Sequence, residues 1–147
     1  MAATRLLGCG GTIVTAHRYR LSPRFYELDP YGHVNHTAYL QYFETARVEL
    51  LREVGFDLVE MERAGVMIVV VDLQVRFVTP ATLGDELVIE TEVVETRRVS
   101  TRWRQRMLRG EELIAAQELS AAMTNRDGRP TRFDPKLVEA LERFTIG

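Results

Sequence analysis

The sequence predicts an α+β domain in which one antiparallel, curved sheet wraps around one long central helix. From His36 to Val54 the apolar residues recur at steps of three and four, which indicates a helix with one apolar stripe. Past residue 65 the period changes to two, which indicates strands. The order is one strand, the helix and then four strands in a meander, so the helix has only the sheet to bury its stripe against.

The N-terminal region carries weak signals before the first strand. Residues 1–11 are expected to form a flexible tail, and the single Cys9 has no partner for an internal disulfide. Residues 12–26 mix β-branched and aromatic residues around Pro23, which favours an edge strand or a strand with a bulge. The cysteine usage fits a reducing, cytoplasmic setting.

The sequence also predicts where the long helix ends and which charged residues lie on its outer faces. Gly55 follows as a stop signal, and the pairs Glu44 with Arg47 and Glu49 with Arg52 lie one turn apart. The apolar stripe consists of Tyr39, Tyr42, Phe43, Ala46, Leu50 and Val54. We expect Phe43 to be core and Tyr39 to contact a ligand, although an aromatic stripe at helical spacing is usually core.

The remaining elements are predicted from alternation and turn residues. In "VDLQVRFV" one apolar face carries Leu73, Val75 and Phe77. The strands "ELVIETEVVETRR", "STRWRQRMLR" and "ELIAAQELSAAMTN" follow, with Gly110 as a hairpin turn. The segment "DPKLVEALERF" has the spacing of a short C-terminal helix, so residues 12–147 are expected to form a single domain.

Composition excludes several classes of function. With 147 residues, 46% apolar and 27% charged, the chain has the balance of one soluble domain with one core. A formal net charge of −2 argues against a nucleic-acid partner, because phosphate binding normally leaves an excess of Lys and Arg. No run of about 18 apolar residues is present, so no membrane span is expected.

The stretch "LDPYGHVNHTAYLQYFETAR" precedes and opens the helix, and it resembles a known family. Asp29, Gly32, Val34, Asn35 and Tyr39 within "DPYGHVNHTAY" resemble the hotdog-fold acyl-CoA thioesterases, in particular the 4-hydroxybenzoyl-CoA thioesterase family with its Tol-Pal-associated members. The segments "VRFVTPATLGDELVIETEV" and "DGRPTRF" are similar to the same family. The resemblance spans roughly residues 15 to 135 and implies a hotdog fold with the active site between subunits.

The resemblance implies catalytic roles for Asp29 and for the backbone amide of His36. An aspartate with an ordinary pKa of about 3.9 is ionised at neutral pH and available as nucleophile or general base. If Asn35 is the N-cap, the first helical N–H, at His36, is left free to polarise a thioester carbonyl. Gly32, Val34, Asn35 and Tyr39 are expected to bind substrate. By itself, an Asp-Pro-x-Gly segment more often caps a turn.

Other candidate residues have plainer interpretations. His33 and His36 offer two imidazoles without a third ligand, so no metal is expected, and the reaction requires no cofactor. Glu44 is the second candidate for the catalytic acid, because another hotdog class carries its acid within the central helix, but an ion pair with Arg47 is favoured. One strand face carries three arginines that either hold coenzyme A phosphates or, as we favour, form a solvated face: Arg102, Arg104 and Arg106.

The sequence therefore predicts an acyl-CoA thioesterase, with two alternatives. The "HVN" phrase is similar to plant acyl-carrier-protein thioesterases, so the substrate carrier is either coenzyme A or a carrier protein. A non-catalytic hotdog module that binds acyl thioesters is the other alternative, because fold alone does not fix function. Exposed sheet edges favour a homodimer joined edge to edge, or a tetramer of such dimers.

Overall fold

The computed structural model of the protein describes residues 3–7 and 12–146. The strands are β1 (Ala3–Leu7), β2 (Thr12–Leu21), β3 (Val66–Phe77), β4 (Leu87–Thr96), β5 (Ser100–Arg109) and β6 (Glu112–Asn125). The α-helices are α1 (His36–Glu53), α2 (Leu58–Arg63) and α3 (Pro135–Leu141), and short 3-10 turns cover Phe25–Glu27 and Glu142–Phe144. The sequence predicted α1 to within one residue of both ends but did not predict α2.

The strands form one antiparallel sheet in the order β1-β2-β4-β5-β6-β3. The predicted meander is therefore correct for β4, β5 and β6 and wrong for β3. That strand pairs with β6, from Val66 opposite Asn125 to Phe77 opposite Ala115. The reason lies in the connection to β4, where Ala81 is fully buried and accepts a hydrogen bond from the Val34 N–H. The connection is held at the start of α1 and does not turn back as a hairpin.

The N-terminal segment differs from its prediction as a flexible tail over residues 1–11. Residues 3–7 form β1, which pairs with residues 12–16 of β2. The second half of β2, His17–Leu21, pairs with β4, so the first half needs another partner for its backbone N–H and C=O groups. Strand β1 supplies that partner. Residues 1, 2 and 8–11, which include Cys9, lie outside the described residues.

Helix α1 packs one face against the sheet and divides the core into two clusters. Its buried residues are Ala38, Tyr39, Tyr42, Phe43, Ala46, Leu50 and Leu51. The first cluster surrounds Phe43 and includes Ile89 and Met107 of the sheet. The second surrounds Leu50 and Trp103 and includes residues of the C-terminal segment. The predicted C-terminal helix thus belongs to the same core.

Strand β3 lies at an edge of the sheet and is poorly covered. Leu73 is 43% exposed and Phe77 is 52% exposed, although both belong to the face that the alternation predicted to be apolar. The backbone of α1 comes nearest to β2 and β4, toward the opposite side of the sheet from the β3 edge. Val70 and Val71 are also exposed, next to an irregularity in the pairing between Val70 and Asp72. A single chain thus leaves an apolar strand edge open.

Candidate active site

The loop before α1 is built around the side chain of Asp29. Its Oδ1 accepts hydrogen bonds from the backbone N–H groups of Tyr31, at 2.8 Å, and His33, at 3.1 Å. Gly32 has a φ of +78°, a left-handed conformation that a side chain would strain, and its N–H donates to the Asp29 carbonyl. In the described part of the chain, Oδ2 of Asp29 accepts no hydrogen bond. One carboxylate oxygen therefore fixes the turn and the other is available for chemistry.

The start of α1 leaves one backbone donor free. Asn35 is the N-cap, and its Oδ1 accepts from the N–H of Thr37 at 2.9 Å and from the Thr37 hydroxyl at 2.8 Å. The N–H of Ala38 donates to the Asn35 carbonyl. Among residues 3–7 and 12–146, none accepts a hydrogen bond from the His36 N–H. This donor lies at the positive end of the helix dipole, where negative charge is stabilised.

The free carboxylate and the free amide belong to residues that border one pocket with an empty volume of about 630 Å³. Its lining residues are Asp29, His33, Val34, His36, Tyr39, Phe77, Val78, Thr79 and Pro80. The structure thus brings together four of the six predicted site residues. The other two, Gly32 and Asn35, do not line the pocket; they shape the turn and the helix end that do.

The far wall of the pocket is the segment that follows β3, and Tyr39 fixes it. The hydroxyl oxygen of Tyr39 accepts a hydrogen bond from the Ala81 N–H at 2.9 Å, and its ring meets Phe77 edge to face at 5.2 Å between centroids. Burial raises the pKa of Tyr39, so the hydroxyl stays protonated at neutral pH. Sequence reasoning missed residues 77–80 as site residues. Pro80, directly after a strand, marked a turn but gave no sign of what the turn faces.

An ion pair supports this wall from behind. Arg109 contacts Asp85 at 2.6 Å and also donates to the Pro80 carbonyl at 3.4 Å. Burial raises the pKa of Asp85, but hydrogen bonds from Thr82 and Arg109 outweigh this, and the pKa is held below its ordinary value. The carboxylate therefore stays ionised at neutral pH and keeps the segment in place.

Glu44, the second candidate acid, does not line the pocket that contains Asp29. The predicted ion pair between Glu44 and Arg47 is wrong, since no such contact within 4 Å is present, whereas Arg52 pairs with Glu49 at 3.1 Å as predicted. Arg47 turns inward because Gln105, fully buried, presents an acceptor oxygen to it at 2.8 Å. Both Glu44 and Arg47 line a separate cavity.

The three arginines of β5 are paired with carboxylates of the sheet itself. Each lies within 4 Å of one partner, in the pairs Arg102–Glu95 (3.7 Å), Arg104–Glu118 (3.4 Å) and Arg106–Glu90 (3.4 Å). Their charge is thus offset by neighbouring strands, which agrees with the interpretation of a solvated face. Within the described ranges no group of three or more His, Cys, Asp or Glu side chains has the arrangement of a metal site. No helix in those ranges is both long and apolar enough to cross a membrane.

Comparison with known proteins identifies the family. Residues 23–141 match the Thioesterase-like superfamily. The chain is 31% identical over 100 residues to the acyl-CoA thioester hydrolase YbgC of Escherichia coli O6:H1. The match covers 68% of this chain and 75% of that protein. It is 32% identical over 80 residues to the chloroplastic acyl-acyl carrier protein thioesterase ATL3 of Arabidopsis thaliana, over 54% of this chain. The match spans 42% of the length of ATL3.

A solved structure gives the same result. A thioesterase from Thermus thermophilus, complexed with coenzyme A and Zn, superimposes with a TM-score of 0.76 at 28% identity, covering 86% of this chain and 92% of that one. The chain therefore belongs to the Thioesterase-like superfamily, and the predicted resemblance to hotdog acyl-CoA thioesterases is confirmed. The names of these relatives support thioester hydrolysis as the class of reaction.

Proposed function

We propose that the protein is an acyl-CoA thioesterase in which Asp29 and the His36 amide act on one thioester carbonyl. The observation that carries the proposal is the pocket they share. It is bordered by a carboxylate with one oxygen, and by a helix start with one N–H, that bond to none of the described residues. The substrate thioester lies between them. No metal or redox cofactor is required for this reaction.

The proposed chemistry divides the work between the two groups. Asp29 Oδ2 either attacks the carbonyl carbon or takes a proton from a water that attacks it. The carbonyl oxygen gains negative charge, which the His36 N–H stabilises; removal of one such donor costs about 2.7–4 kcal/mol in barrier height. If water attacks, the thiolate of coenzyme A leaves and takes the proton that Asp29 accepted, and the free acid remains. If Asp29 attacks, the thiolate leaves from a mixed anhydride, and a water molecule then hydrolyses the anhydride to the free acid, restores the Asp29 carboxylate and supplies the proton of the thiol. The bonds from Tyr31 and His33 to Oδ1 hold the carboxylate in a fixed orientation throughout.

The alternative functions differ in the group that carries the acyl chain of the substrate and in whether the protein catalyses a reaction at all. YbgC is named for coenzyme A esters and ATL3 for carrier-protein esters, and similarity to both keeps hydrolysis of a carrier-protein substrate as the second candidate. A non-catalytic binding module is the third. The position of Asp29 in one pocket with His36 favours catalysis, because a purely structural turn residue, such as the cap Asp57, needs no such neighbour.

We further propose a homodimer in which the β3 edges of two chains pair, with α1 as the central helix of each hotdog subunit. The apolar residues of this edge, exposed in one chain, support the proposal: Val70 is 44%, Val71 is 59% and Leu73 is 43% exposed. Pairing would cover them and continue the sheet across the two-fold axis. The Asp29 pocket borders the same strand at Phe77, so the partner chain lies close to the site.

The experiment that tests the function is a thiol-release assay over a panel of acyl-CoA esters and the same acyl groups on a carrier protein. We expect release of free thiol with saturation kinetics and a higher kcat/KM for the coenzyme A esters. Higher values on the carrier protein would favour the second candidate. Saturable binding of acyl-CoA without any thiol release would contradict the enzyme and favour the binding module.

A further inference from the structure

A second cavity lies on the other half of α1, between that helix, α2 and the sheet. It has an empty volume of about 440 Å³, and all but two of its lining residues are apolar, among them Leu51, Leu58, Ile68 and Trp103. The two exceptions are Glu44 and Arg47 of α1. An apolar cavity with a few polar groups on one wall has the composition of a small-molecule site.

Arg47 is partly buried, and no carboxylate of the described residues pairs with it. Its one hydrogen bond to a described residue runs from Nη1 to Gln105, and none of the carboxylates in the described ranges lies within 4 Å of the guanidinium. Burial lowers the pKa of Arg47 to about 10, which Glu44 partly opposes, so the group remains charged at neutral pH. A guanidinium carries five N–H donors, and most of these are unused. A guanidinium with open donors at the wall of an apolar cavity is suited to bind an oxygen atom of a ligand.

The hydrogen bonds of Gln105 explain why Arg47 is held in place although most of its N–H donors have no acceptor among the described residues. Gln105 donates to the Phe43 carbonyl at 2.9 Å and to the Thr91 hydroxyl at 3.1 Å, and its oxygen also accepts from Gln117 at 3.1 Å. The acceptor that anchors Arg47 is thus fixed by the sheet and by the helix backbone. A donor that is rigidly positioned at the wall of a cavity is suited to recognise a ligand atom.

The cavity and the Asp29 pocket lie along the same two elements. The pocket borders α1 at His36 and β3 at Phe77, and the cavity borders α1 at Arg47 and β3 at Val70. Between them lies the α1-facing side of β3 at Leu73, which is 43% exposed in one chain and which the partner chain would close over in the proposed dimer. From His36 to Arg47 the helix rises about 16 Å. An extended chain advances about 1.2 Å per bond, so an acyl chain of roughly ten to fourteen carbons spans this distance.

We propose that the cavity binds the far end of the acyl group and selects chains of roughly ten to fourteen carbons that carry a terminal hydroxyl. A hydroxyl accepts from the Arg47 guanidinium and donates to the Glu44 carboxylate, so it satisfies both polar residues of the wall. A terminal carboxylate would meet Arg47 but be repelled by Glu44, and a methyl end would leave Arg47 with its bond to Gln105 alone. The inference rests on the proposed thioesterase function.

The test compares kcat/KM for ω-hydroxydodecanoyl-CoA and dodecanoyl-CoA. The wild-type protein should prefer the hydroxylated ester by about tenfold or more, the effect of a hydrogen bond to a charged group. Arg47→Met removes the charge at similar length and should abolish or invert the preference, while Arg47→Lys should keep part of it. Arg52→Met is the matched control, an exposed arginine of the same helix paired with Glu49, and should leave the ratio unchanged.

Two results would overturn the inference: equal kcat/KM values in the wild-type protein, or an unchanged preference in Arg47→Met. The wild-type comparison decides even if Arg47→Met does not fold. Butyryl-CoA, too short to reach Arg47, separates this inference from the proposed function. If butyryl-CoA and both long esters release no thiol, the proposed function fails. The cavity is then decided by calorimetry with the unhydrolysed ω-hydroxydodecanoyl-CoA and dodecanoyl-CoA, where tighter binding of the first supports the inference and equal binding contradicts it.

Discussion

Replacement of Asp29 by Asn separates the structural role of this side chain from its proposed catalytic role. In the structure Oδ1 accepts two backbone N–H groups, at 2.8 and 3.1 Å, and Oδ2 accepts none from the described residues. An asparagine keeps one oxygen for both N–H groups and replaces the other with an amide nitrogen that is neither a base nor a nucleophile. The turn should survive with a loss in unfolding free energy of about 1 kcal/mol or less. The value of kcat should fall by about 10²–10⁴.

Asp57→Asn is a matched control for this substitution. Asp57 caps α2, and its Oδ1 accepts two backbone N–H groups, from Val59 at 2.9 Å and Glu60 at 3.2 Å. It therefore undergoes the same chemical change outside the Asp29 pocket. Thiol release and urea unfolding of both variants give the comparison, with similar small losses of stability expected and a loss of activity only in Asp29→Asn. Near-normal turnover in Asp29→Asn, or an equal loss in Asp57→Asn, would refute the reasoning.

Four further outcomes are expected. Asn35→Ala removes the cap of α1, so the unfolding free energy should fall by about 1 kcal/mol. The value of kcat should fall as well, because the cap holds the helix start that carries the His36 N–H, whereas Asn35→Asp should keep the stability. Tyr39→Phe leaves the buried Ala81 N–H without an acceptor, which should cost about 1–3 kcal/mol in urea unfolding and raise KM. Val71→Lys should weaken the proposed dimer, measured by sedimentation. Folding lowers the pKa of Asp85, so the ionised carboxylate contributes its full stabilisation above about pH 3.9. This contribution to the unfolding free energy is lost as the pH falls through the pKa of the folded state. Asp85→Asn should therefore make the unfolding free energy depend less on pH in acid.

Features set by short stretches of sequence could be predicted, and the Asp29 turn is the clearest case. The cap at Asn35, the turn glycine at Gly32 and the helix that follows depend on contacts within a few residues. The free N–H of His36 follows from the same local geometry, because the first helical residue has no acceptor within its own helix. These signals were enough to place the carboxylate and the amide near each other.

Features set by contacts distant in sequence could not be predicted in the same way. The alternation in β3 predicted a strand but not its neighbour, because the pairing of Val66 with Asn125 joins residues far apart in the chain. Arg47 has the spacing of an exposed ion pair with Glu44, yet a buried acceptor on Gln105 draws it inward. The pocket wall at residues 77–80 was missed for the same reason, since it depends on the path of the connection from β3 to β4.

The central claim is that Asp29 and the His36 N–H flank one thioester carbon. A crystal structure with an acyl-CoA analogue in which a methylene group replaces the thioester sulfur tests it most directly. We expect the ketone oxygen about 2.7–3.1 Å from the His36 nitrogen and the carbonyl carbon about 3–3.5 Å from Asp29 Oδ2, or one water away from it. A ketone bound with its oxygen away from His36, or with Asp29 facing a different cavity, would contradict the account.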